Sequence, residues 1–140
     1  MAQPAYPLPV PHPQPETDFY WEKVRAHELW LMRCNDCQGI YFYPRTICPL
    51  CFSRNLHWVQ SLGRGVVYAF SVVYRAPTTA LIDAVPYVAV LVELEEGVRL
   101  PSLLVEVEPD PSRLSIGMQV EVVFDPVTAE ITLPKFRPRR

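Results

Sequence analysis

Between residues 64 and 136 the chain is a series of apolar runs of period two, cut by short polar turns. "GVVYAFSVVYRA" sets Val66, Tyr68, Phe70, Val72 and Tyr74 on one face and Val67, Ala69 and Val73 on the other. Apolar alternation on both faces predicts a long first strand, bent so that it takes part in two sheets. "PYVAVLVELEEG" and "VRLPSLLVEV" predict the next two strands, joined by the turn Glu95-Glu96-Gly97. "PDPSRLSIGM", with Pro109, Pro111 and Gly117, predicts a loop or one helical turn, and "QVEVVF" and "AEITLPKF" predict two more strands joined around Asp125-Pro126. Five strands with few helices suit a small closed barrel, of which the OB-fold is the commonest five-stranded form.

The first half has a different rhythm. Six prolines, Pro4, Pro7, Pro9, Pro11, Pro13 and Pro15, predict an extended polyproline-like arm, either a disordered tail or an arm lying along a partner. "TDFYWEKVRAHELW" predicts a helix from Asp18 to Glu28, with Thr17 as N-cap and Asp18 and Glu22 near its positive end. Phe19, Tyr20 and Trp21 follow one another in it. At about 100° per residue they spread over more than half the circumference. Two readings stand: aromatics exposed at an interface, or a helix tucked between two subdomains with two of the rings buried. "ELWLMRC" predicts a strand, "NLHWVQSLG" its return, and Gly63 and Gly65 open the strand-rich half.

Composition narrows the class. A chain of 140 residues, 49% hydrophobic, builds one or two small domains with a core that is marginal without reinforcement. A net charge of −2 sets up no global attraction for nucleic acid or anionic membrane. No apolar run approaches the roughly 20 residues that span a bilayer, so no membrane partner is expected. "MAQPAYPLPVPHPQPE" lacks the basic start and apolar centre of a signal peptide, so a cytoplasmic setting with reduced thiols is expected.

That setting bears on "CNDCQGIYFYPRTICPLC", which holds all four cysteines as two C-x-x-C pairs, Cys34/Cys37 and Cys48/Cys51. Two such pairs set four thiolates around one tetrahedral ion, with Zn–S of about 2.3 Å. Four cysteines close the coordination sphere, so the zinc is expected to be structural, a staple whose binding energy is folding energy. Iron in a rubredoxin-like site is the alternative metal. The intervening "QGIYFYPRTI" predicts a short hairpin bent near Gly39 and Pro44.

His12, His27 and His57 sit in no Ser/His/Asp or Cys/His pattern, and no G-x-S-x-G, H-E-x-x-H or phosphate-cradling glycine loop occurs. Catalysis by this chain alone is not expected, and no catalytic residue is assigned. Glu93, Glu95 and Glu96 read as a solvated strand edge. Single-stranded nucleic acid is the alternative ligand for a ribbon joined to a barrel. Tyr41, Phe42, Tyr43 and Arg45 have the chemistry to stack bases, but the expected binding face carries Glu93, Glu95, Glu96 and Glu106. Phosphate contacts dominate such affinity, so nucleic acid is not the expected partner.

The order of segments carries a resemblance. An aromatic helix, a C-x-x-C…C-x-x-C ribbon with "IYFYPR", then "GRGVVYAFSVVYRAP", "PYVAVLVEL", "LSIGMQVEVVF" and "TLPKFRP" resemble the acyl-CoA-associated proteins that join a rubredoxin-like zinc ribbon to an OB-fold. The resemblance covers nearly all of the chain from about Thr17. The chain departs from the family's frequent double proline at Tyr43-Pro44-Arg45, and from its frequent glycine after the last ligand at Phe52. The resemblance implies a non-catalytic subunit of a thiolase-like enzyme (thiolase, hydroxymethylglutaryl-CoA synthase or the retro-aldolases of sterol side-chain degradation). Such a subunit shapes the acyl-CoA channel, in a heterotetramer around a thiolase dimer, with a hydratase as a further partner. It implies partner contacts from Phe19, Tyr20, Trp21, Tyr41, Phe42 and Tyr43, and a CoA thioester whose phosphates meet Arg45, Arg64, Arg75, Lys135 and Arg137. The predicted fold class is mainly β: a Pro-rich arm over 1–16, an N-terminal helix within 17–32, a four-cysteine ribbon over 33–60 and a five-stranded OB-fold barrel over 61–140.

Overall fold

The computed structural model describes residues 6–140; Pro4, part of the predicted arm, lies outside them. Helix α1 (Asp18–Arg25) leads into β1 (Trp30–Cys34), β2 (Ile40–Tyr41) and β3 (Leu56–Gln60), a three-stranded antiparallel sheet in the order β2-β1-β3. Five strands follow: β4 (Arg64–Val73), β5 (Tyr87–Leu94), β6 (Arg99–Leu104), β7 (Gln119–Pro126) and β8 (Thr132–Pro138). They close into a barrel in the order β4-β5-β6-β8-β7, with β7 returning to β4. The closure between β6 and β8 is the single parallel contact, with one register pair, Leu104 with Phe136. The chain is thus mainly β with one helix, a four-cysteine cluster and the closed five-stranded barrel of an OB-fold. No helix among the described residues is long and apolar enough to cross a membrane.

Strand β4 serves two neighbours, as the double alternation predicts: Gly65 lies opposite Leu94 of β5 and Val120 of β7. A Cβ on Gly65 would stand 2.3 Å from the carbonyl oxygen of Glu93, so only glycine allows both pairings. The two faces do not run through unbroken. A bulge between Val67 and Ala69 moves the inward side from Gly65 and Val67 to Phe70 and Val72. Tyr68 and Tyr74, read as sharing a face with Phe70, are exposed, and the Arg99 guanidinium lies 3.8 Å from the centre of the Tyr68 ring.

Strand β5 alternates cleanly, burying Val88, Val90, Val92 and Leu94 against Leu100, Leu104, Val120 and Phe136. Tyr20 and Val24 of α1 and Leu31 of β1 belong to the same cluster. Helix, ribbon sheet and barrel therefore share one core cluster, while Met32, Cys34, Tyr41 and Cys48 form a second, smaller one in the ribbon. Filling such a core with large side chains contributes about 1.5–3 kcal/mol per residue.

Four expectations are corrected. The helix stops at Arg25, three residues early, because His27 takes a left-handed conformation (φ 64°). The N–H groups of His27 and Glu28 donate to the carbonyls of Val24 (2.9 Å) and Lys23 (2.8 Å), a Schellman closure built without the usual glycine. Thr17 precedes the helix but its hydroxyl makes no cap; it accepts from the Gln14 N–H at 2.9 Å instead. "QGIYFYPRTI" forms no hairpin of its own, since Ile40–Tyr41 pairs back onto β1. Strand β7 runs through Asp125-Pro126 rather than turning there.

Candidate metal centre and partner-facing surface

The two C-x-x-C segments adopt one turn twice. In the first, the Cys34 N–H donates to the Gly39 carbonyl (2.9 Å) and the Gln38 N–H to the Cys34 carbonyl (2.9 Å). In the second, the Cys48 N–H donates to the Ser53 carbonyl (2.8 Å) and the Phe52 N–H to the Cys48 carbonyl (2.9 Å). Both turns need a left-handed residue after the second cysteine, and Gln38 and Phe52 supply it, each at φ 63°. Phe52 therefore meets the geometry for which related ribbons often use glycine. Side chains tie the turns together: Ser53 donates to Asp36, and Asn35 donates to Asn55 at 2.9 Å.

The four Sγ atoms lie within 4.8 Å of one another, with Cys34–Cys51 at 3.5 Å and Cys37–Cys48 at 3.7 Å. A tetrahedral zinc with Zn–S of about 2.3 Å sets its sulfurs about 3.8 Å apart, so the cluster fits one ion. Backbone donors also point at sulfur: Cys37 N–H at Cys34 (3.5 Å), Gly39 N–H at Cys37 (3.4 Å) and Leu50 N–H at Cys48 (3.4 Å). The Cys37 N–H holds the Cys34 thiol down to about 7. Cys34 and Cys48 are buried beside Met32 and Tyr41, while Cys37 and Cys51 reach the surface. The donor set is that of a structural zinc held in a ribbon.

The three consecutive aromatics of α1 do diverge. Phe19 packs on the ribbon sheet, 5.5 Å from the Trp30 ring and 4.6 Å from Trp58. Tyr20 enters the shared core, 1% exposed, and burial pushes its phenol above the usual tyrosine range. Trp21 faces outward and donates its indole N–H to the Tyr43 hydroxyl at 2.7 Å. Tyr41 is buried in the ribbon, its hydroxyl donating to the Arg45 carbonyl at 2.9 Å. Of the six aromatics expected to meet a partner, Tyr20 and Tyr41 are thus used up inside the chain. Phe19, Trp21, Phe42 and Tyr43 keep part of their surface.

The expected cationic set does not converge. Lys135 pairs with Asp125 at 2.5 Å, and Arg137 lies between Glu121 (3.0 Å) and Glu106 (3.3 Å). Both cations are thus paired with carboxylates on the barrel wall. Arg64 and Arg75 stand apart, on β4 and after it. Arg45 shares a cleft of about 320 Å³ with Arg54, a neighbour the sequence did not signal, and with Glu16, Phe19 and Trp58. The acidic residues expected to form a solvated edge are engaged as well. Glu93 pairs with Arg99 at 2.8 Å, Glu95 with Arg139 at 3.7 Å, and Glu96 accepts from the Ser61 hydroxyl at 2.8 Å and the Leu62 N–H at 3.0 Å. A second apolar surface was missed. Tyr6, Leu103 and Leu133 line a groove of about 290 Å³ beside Trp21 and Tyr43. The alternation of Tyr6, Leu8 and Val10 with prolines is the pattern that signals it.

Residues 21–57 match the family model described as ChsH2, rubredoxin-like zinc ribbon domain, and residues 58–125 the model described as ChsH2, C-terminal OB-fold domain. A DUF35 domain-containing scaffold protein of Methanocaldococcus jannaschii is 42% identical over 106 residues, covering 74% of this chain and 73% of that protein. A probable enoyl-CoA hydratase alpha subunit of Thermomonospora curvata is 36% identical over 130 residues, 93% of this chain. The matched region spans 40% of that longer relative. Among solved structures, a chain of the Ltp2-ChsH2(DUF35) aldolase superposes with a TM-score of 0.78 at 35% identity, covering 91% of this chain and 98% of that one.

Proposed function

This chain belongs to the ChsH2 family of DUF35 zinc-ribbon and OB-fold proteins, and from that premise we propose that it is the non-catalytic accessory subunit of a thiolase-like enzyme acting on acyl-CoA thioesters. One observation carries the reading: the likeness, over nearly the whole of both chains, to a chain of a solved aldolase assembly. Relatives named as a scaffold protein and as a hydratase subunit support it. The assembly is a heterotetramer around a thiolase-like dimer in the cytoplasm, with a hydratase as a further partner. The helix unit over 17–32, the ribbon over 33–60 and the barrel over 61–140 act as one body in it, preceded by the arm over 1–16.

Within the complex, Phe19, Trp21, Phe42 and Tyr43 supply the apolar contacts, since they keep surface while being held by neighbouring rings. Aromatics fixed in this way lose little entropy on docking. The zinc holds the ribbon's shape and takes no part in chemistry, because four cysteines leave it no open position. Where the CoA thioester passes this chain, Arg45 with Arg54 is the cationic pair left to meet its phosphates, with Phe19 and Trp58 beneath. The nucleic-acid alternative is disfavoured by charge: of the four basic residues of the last strand and tail, Lys135, Arg137 and Arg139 are each paired with a carboxylate.

Co-expression with a thiolase-like protein from the same source, followed by size-exclusion chromatography, tests the reading. A single peak holding equal amounts of both chains is expected. Separate elution at micromolar concentration rejects it.

A further inference from the structure

Residues 6–11 read Tyr-Pro-Leu-Pro-Val-Pro. Tyr6, Leu8 and Val10 are half-buried, while Pro7 and Pro9 between them are exposed. The arm thus lies on the protein with one side down, as an extended chain of period two does. It lies where two cavities of about 290 and 620 Å³ adjoin, for Tyr6, Leu103 and Lys135 line both. The smaller continues to Trp21 and Tyr43; the larger continues to the loop from Thr79 to Ala84, with Leu8 on its wall.

The arm's attachment is unusual. Among the described residues, no hydrogen bond joins residues 6–13 to the rest of the chain. Alternate prolines remove half of the backbone donors that would make one. The first anchor is Gln14, whose N–H donates to the Thr17 hydroxyl at 2.9 Å and whose carbonyl accepts from the N–H groups of Thr17 and Asp18, both at 2.8 Å. Three apolar side chains ahead of a hydrogen-bonded hinge are all that holds it. Aromatic grooves take up polyproline-type segments well, because the extended chain is already ordered.

We propose that residues 6–11 are a dissociable strap: in the free chain Tyr6 walls the aromatic groove of Trp21, Tyr43 and Leu103 while Pro7 and Leu8 wall the adjoining cavity, and in the complex they swing out on Gln14 and yield that surface to the thiolase-like partner. The proposal rests on the accessory-subunit reading for its partner, though not for the strap itself. Without a strap, the groove would present aromatic surface to water and to other copies of the chain. Without hydrogen bonds, the strap leaves without breaking any.

Two measurements decide it, both on the full-length chain. The first uses a variant carrying Tyr6→Ser, Leu8→Ser and Val10→Ser, none of which lies in the core. A synthetic peptide of residues 6–14 is titrated into variant and parent, followed by tryptophan fluorescence. The peptide is expected to bind the variant at least tenfold more tightly than the parent, and adding Leu103→Asp to the variant is expected to abolish binding. Equal affinity for variant and parent overturns the strap. The second compares assembly with the co-expressed thiolase-like protein, which the variant is expected to bind about tenfold more tightly. Weaker assembly by the variant makes the arm part of the interface and overturns the proposal. If neither chain assembles, the accessory-subunit reading fails and with it the partner's share of the proposal, while the peptide titration still decides the strap.

Discussion

Gln38 and Phe52 hold equivalent places in the two metal turns, each left-handed at φ 63° and each donating its N–H to the carbonyl of the turn's first cysteine. They differ in what the side chain meets: the Phe52 ring is 78% exposed. A left-handed residue with a Cβ carries about 1–2 kcal/mol of strain, and here little packing offsets it. Phe52→Gly is therefore expected to stabilise the zinc-loaded chain by about 1 kcal/mol, net of glycine's greater freedom when unfolded. The melting temperature rises by roughly 3–5 °C. Phe52→Val is expected to lower it, and a fall for the glycine variant removes the strain argument.

The zinc prediction follows from the shared core. Purified protein is expected to carry one zinc per chain by elemental analysis, with four thiols protected from titration. Cys48→Ser leaves three ligands and is expected to lose the metal. Because Leu31 of β1 packs in the same cluster as Val92 and Phe136, the loss is expected to destabilise the barrel along with the ribbon. Circular dichroism with and without a chelator checks this. A metal-free barrel melting at its original temperature shows the two to be separable.

Alkaline pH is expected to unfold the chain through its buried phenols. Burial raises Tyr20 above the usual range and pushes Tyr41 up to about 12. The raised folded-state values favour the neutral form, so their stabilisation is complete below the unfolded tyrosine value of about 10. It is lost as pH rises from there through the folded values, because the unfolded chain then releases protons that the folded one retains. Melting temperatures between pH 8 and 11.5 are expected to be flat at first and to fall above about 10. Tyr20→Phe is expected to soften the fall; an unchanged slope assigns it elsewhere.

Trp21 separates interface from fold. Its indole is half-buried and bonded to Tyr43 at the edge of the core. Trp21→Ala is expected to weaken assembly with the thiolase-like protein by about 2 kcal/mol or more, as a central aromatic anchor does. The free chain is expected to lose less than the about 3–5 kcal/mol typical of a deleted core aromatic. Dissociation constants and melting curves on the same variant give both numbers, and the reverse pattern places Trp21 in the core.

What could be read from sequence was whatever depends on spacing within one segment. The two cysteine pairs define the ligand set because a C-x-x-C turn is local. The alternation of Val88, Val90, Val92 and Leu94 marks a strand covered on one side, and it is one. What escaped depends on partners far along the chain. Lys135 and Arg137 looked free because the carboxylates that hold them, Asp125 and Glu121, come into reach only through the pairing of β7 with β8. The bulge at Tyr68 was hidden because apolar residues on both faces of β4 read alike in either register. His27 carries no glycine to announce the end of the helix, and its ring is stacked on Phe124 of β7, 5.1 Å away, a contact available only once the barrel exists.

The single rung between Leu104 and Phe136 has a dynamic consequence. Each of the other barrel seams is a ladder of three or more rungs; this one adds to its rung the bond from the Val105 N–H to the Phe136 carbonyl at 2.7 Å and that from the Ser102 hydroxyl to the Pro134 carbonyl at 2.9 Å. With so few bonds to break, the sheet's cheapest excursion is to part there, so the Val105 amide should exchange with deuterium ahead of the Val90 amide on β5. Pro101, Leu103 and Pro134 on either side of that seam also line the groove beneath Tyr6. Whatever fills the groove splints the barrel where it breathes, and slowed exchange at Val105 would report occupancy without any label on the occupant.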